Sequence, residues 1–382
     1  MLGTVRFVLA SLVVLNHLWL PTSDRVGAHA VVAFYMVSGF LMTKVIQETY
    51  GLSLRGGWHF VLNRALRIYP IYLACMFATL AMLLAFSERF RPYSTITVPD
   101  AFDLFRNVTL FNLTPAKSII VPPAWSLTVE FAFYLMMVAL LSRTKLISNM
   151  WFAASLVITT YLILSGASFA DRYYPVLAAS MFFSSGAMLY WHADRLSRLT
   201  PPAPIFWPLL AVFCAMPLLI EAARLDRLTI GYYGAALLFL PLFLIANTKP
   251  TRMDKWLGDL AYPVFVSHFL CAGIVKLLLP SLIYLSATFM AVSFVLSLVL
   301  SIGMVAVQVR TIERLRGSLR QPARDDNDFL TDALHIVLGR LDRRGFQHLH
   351  EHDETIRHRK NVPGIIHDSA AAKESTTPKP LA

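Results

Sequence analysis

Charge is scarce in this chain: Asp, Glu, Lys and Arg make up 15% of its 382 residues, against about 25% in a soluble domain. That shortage excludes an ordinary water-facing surface over most of its length. Cysteine is scarce too. The three present, Cys75, Cys214 and Cys271, fall inside apolar runs, where they read as small hydrophobes rather than as disulfide partners or metal ligands. No P-loop, no His-Glu-x-x-His and no Gly-x-Ser-x-Gly pattern occurs, so the familiar soluble chemistries lack support and no metal site is expected. Acids are outnumbered, 23 against 34 Lys and Arg, for a formal charge of +11. The basic surplus sits mostly at the ends of apolar runs, which points to lipid headgroups and away from nucleic acid.

What the chain has in abundance is apolar length. Hydrophobic residues make up 56% and the mean hydropathy is +0.57. Runs of roughly 20 apolar residues recur, each long enough for the ~30 Å hydrocarbon layer. They are continuous rather than alternating, which predicts helices rather than barrel strands. The expected fold is all-α, a polytopic membrane protein with about ten transmembrane helices. These are placed near residues 4–20, 28–46, 66–86, 124–142, 150–165, 173–191, 205–220, 230–246, 259–279 and 284–309. Breaks fall at Pro21, Leu52 to Gly57, Pro92, Pro99, Pro122-Pro123, Gly166, Pro201-Pro202, Pro250 and Pro280. The first run is too long for a signal core and carries Arg6 and His17, so it reads as a retained helix.

Lys and Arg set the orientation. Connections 47–65, 143–149, 192–204 and 247–258 hold nine, and the longer opposite set holds eight, while Arg310, Arg314, Arg316 and Arg320 follow the last helix at once. Both termini are therefore expected in the cytoplasm, with the chain in the cell's inner membrane. Residues 1–309 form the expected membrane domain and 310–382 a cytoplasmic tail, partly disordered. Within the tail, DNDFLTDALHIVLGRL reads as one amphipathic helix capped by Asn327 or Asp328. It is suited to the inner leaflet, to the bundle, or to pairing with a second copy in a homodimer. Six of the eleven histidines lie in the tail, but HLHEHDETIRH has no tight metal spacing.

An ionisable side chain at mid-membrane costs about 2.5–3.5 kcal/mol on insertion scales, so such groups usually line a cavity or pair with one another. Arg6 and His17 are eleven residues apart, which at 3.6 residues per turn returns them to nearly one helical face, roughly 16 Å apart along the axis. Ala10 and Val13 fill the stripe between. The stripe fits the wall of a narrow tunnel; alternatively, Arg6 snorkels to headgroups and His17 is a satisfied interior donor. Glu130, in AWSLTVEF, is expected at the depth of His17, where a carboxylate suits an imidazole acting as a base. Arg64 and Arg67 are three apart and share a face at one end of the third helix. They suit phosphates of lipid or nucleotide. Arg6 and Lys44 sit at the same level, so four cations converge on one mouth. Ser38-Gly39 permits close packing or leaves room for a ligand. His268, with Tyr262 below it, reads as interhelical glue or as support for another residue.

Together these pieces resemble the acyltransferase-3 family of integral membrane O-acyltransferases. Arg6, ten residues, then His17; FYMVSGFLM; RALRIYPIY; AWSLTVEF; and LAYPVFVSH come in family order over residues 1 to about 309. The resemblance implies transfer of an acyl group, commonly acetyl, from cytoplasmic acyl-CoA to a hydroxyl of a carbohydrate or glycolipid acceptor of the envelope. By the same resemblance His17 is the essential histidine, Arg6 its motif partner, Arg64 and Arg67 the Arg-x-x-Arg pair, and Glu130 the acid of the Trp-Ser-Leu segment. His17 then acts as general base or as acyl carrier. The tail has no match to the esterase-like domain fused to some members. A membrane transporter of a small anionic or glycan substrate is the alternative, although no internal repeat supports it. A scaffold leaves the Arg6 and His17 register unexplained.

Overall fold

The computed structural model describes residues 2–19, 24–196, 203–222 and 251–320. Helix α1 spans Leu2–Leu18, α2 Asp24–Val45 with a π turn to Tyr50, and α3 Leu54–Phe86. After a long connection containing α4 (Ala101–Thr109) come α5 (Trp125–Met136, extended by a π turn to Leu141), α6 (Lys145–Leu164), the single turn α7 (Phe169–Tyr173) and α8 (Val176–Leu196). Then follow α9 (Phe206–Ala222), α10 (Arg252–Leu278), α11 (Ala287–Thr311) and the short α12 (Glu313–Ser318). No strand occurs among the described residues, so the fold is all-helical, as expected.

Six of these helical stretches are long and apolar enough to cross a membrane: Val26–Tyr50, Leu54–Phe86, Pro122–Leu141, Lys145–Leu164, Arg252–Leu278 and Ala287–Thr311; α1 and part of α9 are shorter apolar helices. The expected helix at 230–246 and the amphipathic tail helix lie outside the described residues. The third helix begins at Leu54, twelve residues ahead of the expected start at 66. Ser53 caps it by accepting a hydrogen bond from the Gly56 N–H at 3.0 Å. Apolar length marks what lipid or core covers, whereas a cap marks where the backbone bonds begin, and here the two differ.

Burial sorts the helices into centre and periphery. The most apolar windows of α2 and α10 are 83% and 78% buried, against 22% in α6 and 17% in α11. Helices α1, α2 and α10 thus form the interior. Water exclusion cannot drive packing between helices in lipid, so close backbone approach has to. At the crossing of α2 and α8, a Cβ on Gly39 would stand 2.1 Å from the Phe183 carbonyl oxygen and one on Gly186 2.0 Å from that of Met36.

The connection after α3 is built on buried polar groups that are paired. Asp103 accepts from the Ser118 N–H at 3.0 Å, and Asn107 donates to the carbonyls of Asp103 and Ser118 at 2.8 Å each. Asn107 Oδ1 accepts from the Ile120 N–H at 3.0 Å, while the Tyr72 and Tyr69 hydroxyls donate to the carbonyls of Asn107 and Thr109. A satisfied buried network of this kind fixes one conformation. It holds the connection over the end of α1 that carries His17.

Replacing Gly186 by Leu should fail to give folded protein, or lower its thermal midpoint in detergent by more than the ~1–3 kcal/mol of ordinary overpacking, because the obstacle is backbone. Gly303→Ala, at a position with open space around it, should leave the midpoint unchanged or raise it slightly.

Candidate active site

The sequence places Arg6 and His17 on one stripe of α1, and the fold sets that stripe against α10. At the start of both helices, the Thr4 N–H and hydroxyl donate to Asp254 Oδ1 at 2.9 Å each. A Cβ on Gly3 would lie 1.8 Å from the Asp254 carbonyl oxygen, so the two backbones touch there. At the far end the His17 ring meets His268, with Nδ1 and Nε2 3.0 Å apart and ring planes 14° from parallel. His17 also packs on Phe269, with centroids 5.1 Å apart.

The proton arrangement follows from partners. His268 is fully buried and its Nδ1 lies 2.8 Å from the Phe265 carbonyl oxygen. A carbonyl only accepts, so Nδ1 carries the hydrogen and the Nε2 of the neutral ring is a lone-pair acceptor. The hydrogen shared with His17 therefore sits on His17 Nδ1. That leaves His17 Nε2 unprotonated, and no described residue hydrogen-bonds it. His268 thus takes the orienting place expected of Glu130. The sequence offers His268 as interhelical glue or as support for another residue, without indicating that the residue is His17.

Glu130 accepts at Oε1 from the Ser38 hydroxyl at 2.6 Å and from the Tyr134 hydroxyl. It lines a tight cavity of about 60 Å³ together with Arg6, Ser38 and Tyr262. Gly39 next door closes on α8, which meets the close-packing expectation for Ser38-Gly39, while Ser38 lines the cavity. Tyr262 donates to the Ile68 carbonyl at 2.8 Å.

Two larger spaces flank this neck. On the His17 side lies a cavity of about 320 Å³, lined by His17, Asn16, Tyr93, Thr95 and Trp125 among others. Asn16 is held by accepting from the Gly27 N–H at 3.1 Å. On the side where α1 begins lies a cleft of about 430 Å³ that includes Arg6, Arg67, Lys255, Asp259 and Gln308. The three spaces share walls: Arg6 and Tyr262 border both cleft and neck, and Val31, Ser126 and Phe265 border both neck and far cavity. Val13 reaches the far cavity, while Ala10 is fully buried.

The four expected cations part company. Arg6 and Arg67 line the cleft. Arg64 turns into the bundle, buried, where it donates to Asn63 Oδ1 at 3.2 Å and approaches Met42 Sδ at 3.8 Å and the Phe60 ring. Lys44 remains 44% exposed beside Glu48, at 3.9 Å, and lines none of the three spaces. Residues three apart on a helix differ by 60° in direction, enough to send Arg64 and Arg67 to different surroundings. Sequence reading did not assign Lys255, Arg316 or Arg320 to this place, yet all three border the cleft.

A family model described as "Acyltransferase domain" matches residues 2–306. No curated protein and no solved structure matches the chain.

Nitrogen-15 spectra of histidine-labelled protein at neutral pH should show His17 protonated at Nδ1 and bare at Nε2. His268→Leu should abolish that single-tautomer signature; an unchanged His17 pattern would mean that His268 does not set it.

Proposed function

The chain belongs to the acyltransferase-3 family, and from that premise we propose that it moves an acyl group, acetyl in the simplest case, from acyl-CoA to a hydroxyl of an envelope carbohydrate or glycolipid. On this reading the donor enters from the cytoplasm at the cleft beside Arg6 and Arg67, both termini lie on that side of the inner membrane, and the acceptor reaches His17 from the opposite side. The observation that carries the reading is the run of three adjoining spaces from Arg6 to His17. The neck is the smallest of the three, at about 60 Å³ against about 320 and 430 Å³ for its neighbours, and suits a thin flexible arm such as pantetheine.

The chemistry then follows from the bare nitrogen of His17. Nε2 removes the proton of the acceptor hydroxyl as its oxygen attacks the thioester carbonyl carbon. The carbon–sulfur bond breaks and the coenzyme A thiolate leaves, taking the proton back from the imidazolium. In a carrier route the same atom, Nε2, attacks the thioester carbonyl and the coenzyme A thiolate leaves; the acceptor oxygen then displaces the imidazole, and its proton goes to that thiolate. His268 acts as a positioning residue: it keeps Nδ1 of His17 as the donor and so Nε2 as the base. Glu130 belongs to the neck, where its carboxyl group borders the same space as Arg6 and keeps that region polar along the donor's path.

Base catalysis contributes about 10²–10⁴-fold, so His17→Ala should nearly abolish transfer of label from radiolabelled acetyl-CoA to membrane glycans while the protein accumulates normally. His268→Gln keeps an acceptor oxygen near the place of Nε2 and should retain more turnover than His268→Leu, with both changing kcat more than KM. Wild-type turnover in His17→Ala would remove this residue from the reaction. Movement of label or glycan across the membrane without covalent transfer would favour the transporter instead.

A further inference from the structure

The match to the family ends at residue 306, yet the cleft continues beyond it. After α11 the chain turns into α12, whose position is fixed by a hydrogen bond from Asn63 Nδ2 on α3 to the Arg316 carbonyl at 3.0 Å. Gln308 adds a second tie, donating from Nε2 to the Arg67 carbonyl at 3.2 Å. These ties bring Arg316 and Arg320 to the wall that already holds Arg67 and Lys255.

The charges there are unbalanced in an informative way. Glu313 is divided between two guanidiniums, its Oε2 taking Arg316 Nη1 at 2.5 Å and its Oε1 taking Arg320 Nη2 at 3.3 Å. Asp254 is engaged by Thr4, and Asp259 also borders the cleft, so five cations, Arg6, Arg67, Lys255, Arg316 and Arg320, line it with three acids. The Arg67 guanidinium, at the same wall, has no hydrogen bond or ion pair to any described residue. Arg316 is 6% exposed and its Nε has no partner among the described residues. Burial, with the nearby charge of Arg67, pulls the Arg316 guanidinium below its ordinary pKa, and Glu313 opposes this. Like charges gathered with too few counter-charges are stabilised by an anion, and planar guanidinium forks match phosphate oxygens.

We propose that Arg67, Lys255, Arg316 and Arg320 form a phosphate-binding site in which α12, outside the family-matched residues, grips the phosphates of the nucleotide end of the acyl donor. The assignment rests on the acyl-CoA reading above for the identity of the ligand, while the phosphate chemistry stands on the cluster itself. Glu313 holds Arg316 and Arg320 side by side, and both line the cleft. Arg67 adds a third guanidinium from α3 at the same wall, and Arg6, at the entrance to the neck, marks the direction in which the rest of the donor extends. Recognition of the donor therefore depends on a segment that the enclosing bundle could exist without.

The test uses the full chain in nanodiscs of neutral phosphatidylcholine, with adenosine 3′,5′-bisphosphate, the phosphate-bearing end of coenzyme A, as the probe. The wild type should bind it, and Arg320→Gln and Arg316→Gln should each weaken binding about 10-fold, raising the KM for acyl-CoA with kcat largely kept. Arg320 is 43% exposed, so its variant reports on binding even if the buried Arg316 change impairs folding. Bisphosphate affinity unchanged in the Arg320 variant, or no bisphosphate binding by the wild type, overturns the proposal. So does the headgroup outcome, in which the wild type retains co-purified phosphatidylglycerol that the variants lose while bisphosphate does not compete. Bisphosphate binding without any acyl transfer would instead leave the phosphate site standing and count against the acyltransferase reading alone.

Discussion

The pairing of α1 with α10 is the constraint from which the rest follows. Thr4 meets Asp254 near the start of both helices, and His17 meets His268 further along. The contacts come in the same order on both helices, so the two run parallel. Thirteen residues separate the first pair of positions on α1 and fourteen the corresponding pair on α10, or about 20 Å on each at 1.5 Å per residue. Equal spans keep the two helices in register over their whole contact. In lipid, where apolar side chains gain nothing from leaving water, two polar clasps and a close backbone approach supply the specificity that a hydrophobic face supplies in a soluble core.

Around this pair the protein separates three environments that one open cavity could not maintain. The cleft gathers cations, the neck mixes one acid with one guanidinium in a tight space, and the far cavity sets a bare imidazole nitrogen among aromatic rings. The ordered connection around Asp103 and Asn107 contributes Tyr93 and Thr95 to the far cavity. The buried side chains of Asp103 and Asn107 are paired, so the connection stays in place without relying on a large apolar core of its own.

Much of this was legible in the residues. The eleven-residue interval between Arg6 and His17 gives their common stripe, and the spaces the two residues border adjoin one another through the neck. Helix periodicity, however, gives direction relative to the axis and not what stands opposite. Arg64 and Arg67 are near neighbours on α3, yet one faces the bundle and the other the cleft; Lys44 has the right level but the wrong side. Depth alone suggested Glu130 for His17, while the ring 251 positions away on α10 takes that place, because the choice is made by which helices pack together. Arg316 and Arg320 looked like topology signals for the same reason: nothing local indicates that Asn63 will capture the backbone after the last long helix.

The distance in sequence between the partners of α1 also shapes how the protein comes into being. Leu2–Leu18 is made well before α10, and the residues that complete its polar contacts follow some 250 positions later. At synthesis rates of about 5–20 residues per second, that is a wait of roughly 12–50 s. Through that interval the first helix sits in the bilayer with an arginine and a histidine lacking their final neighbours, short enough to be drawn toward either surface. Biogenesis of this protein accordingly includes a late docking step, in which α1 meets a helix made long after it.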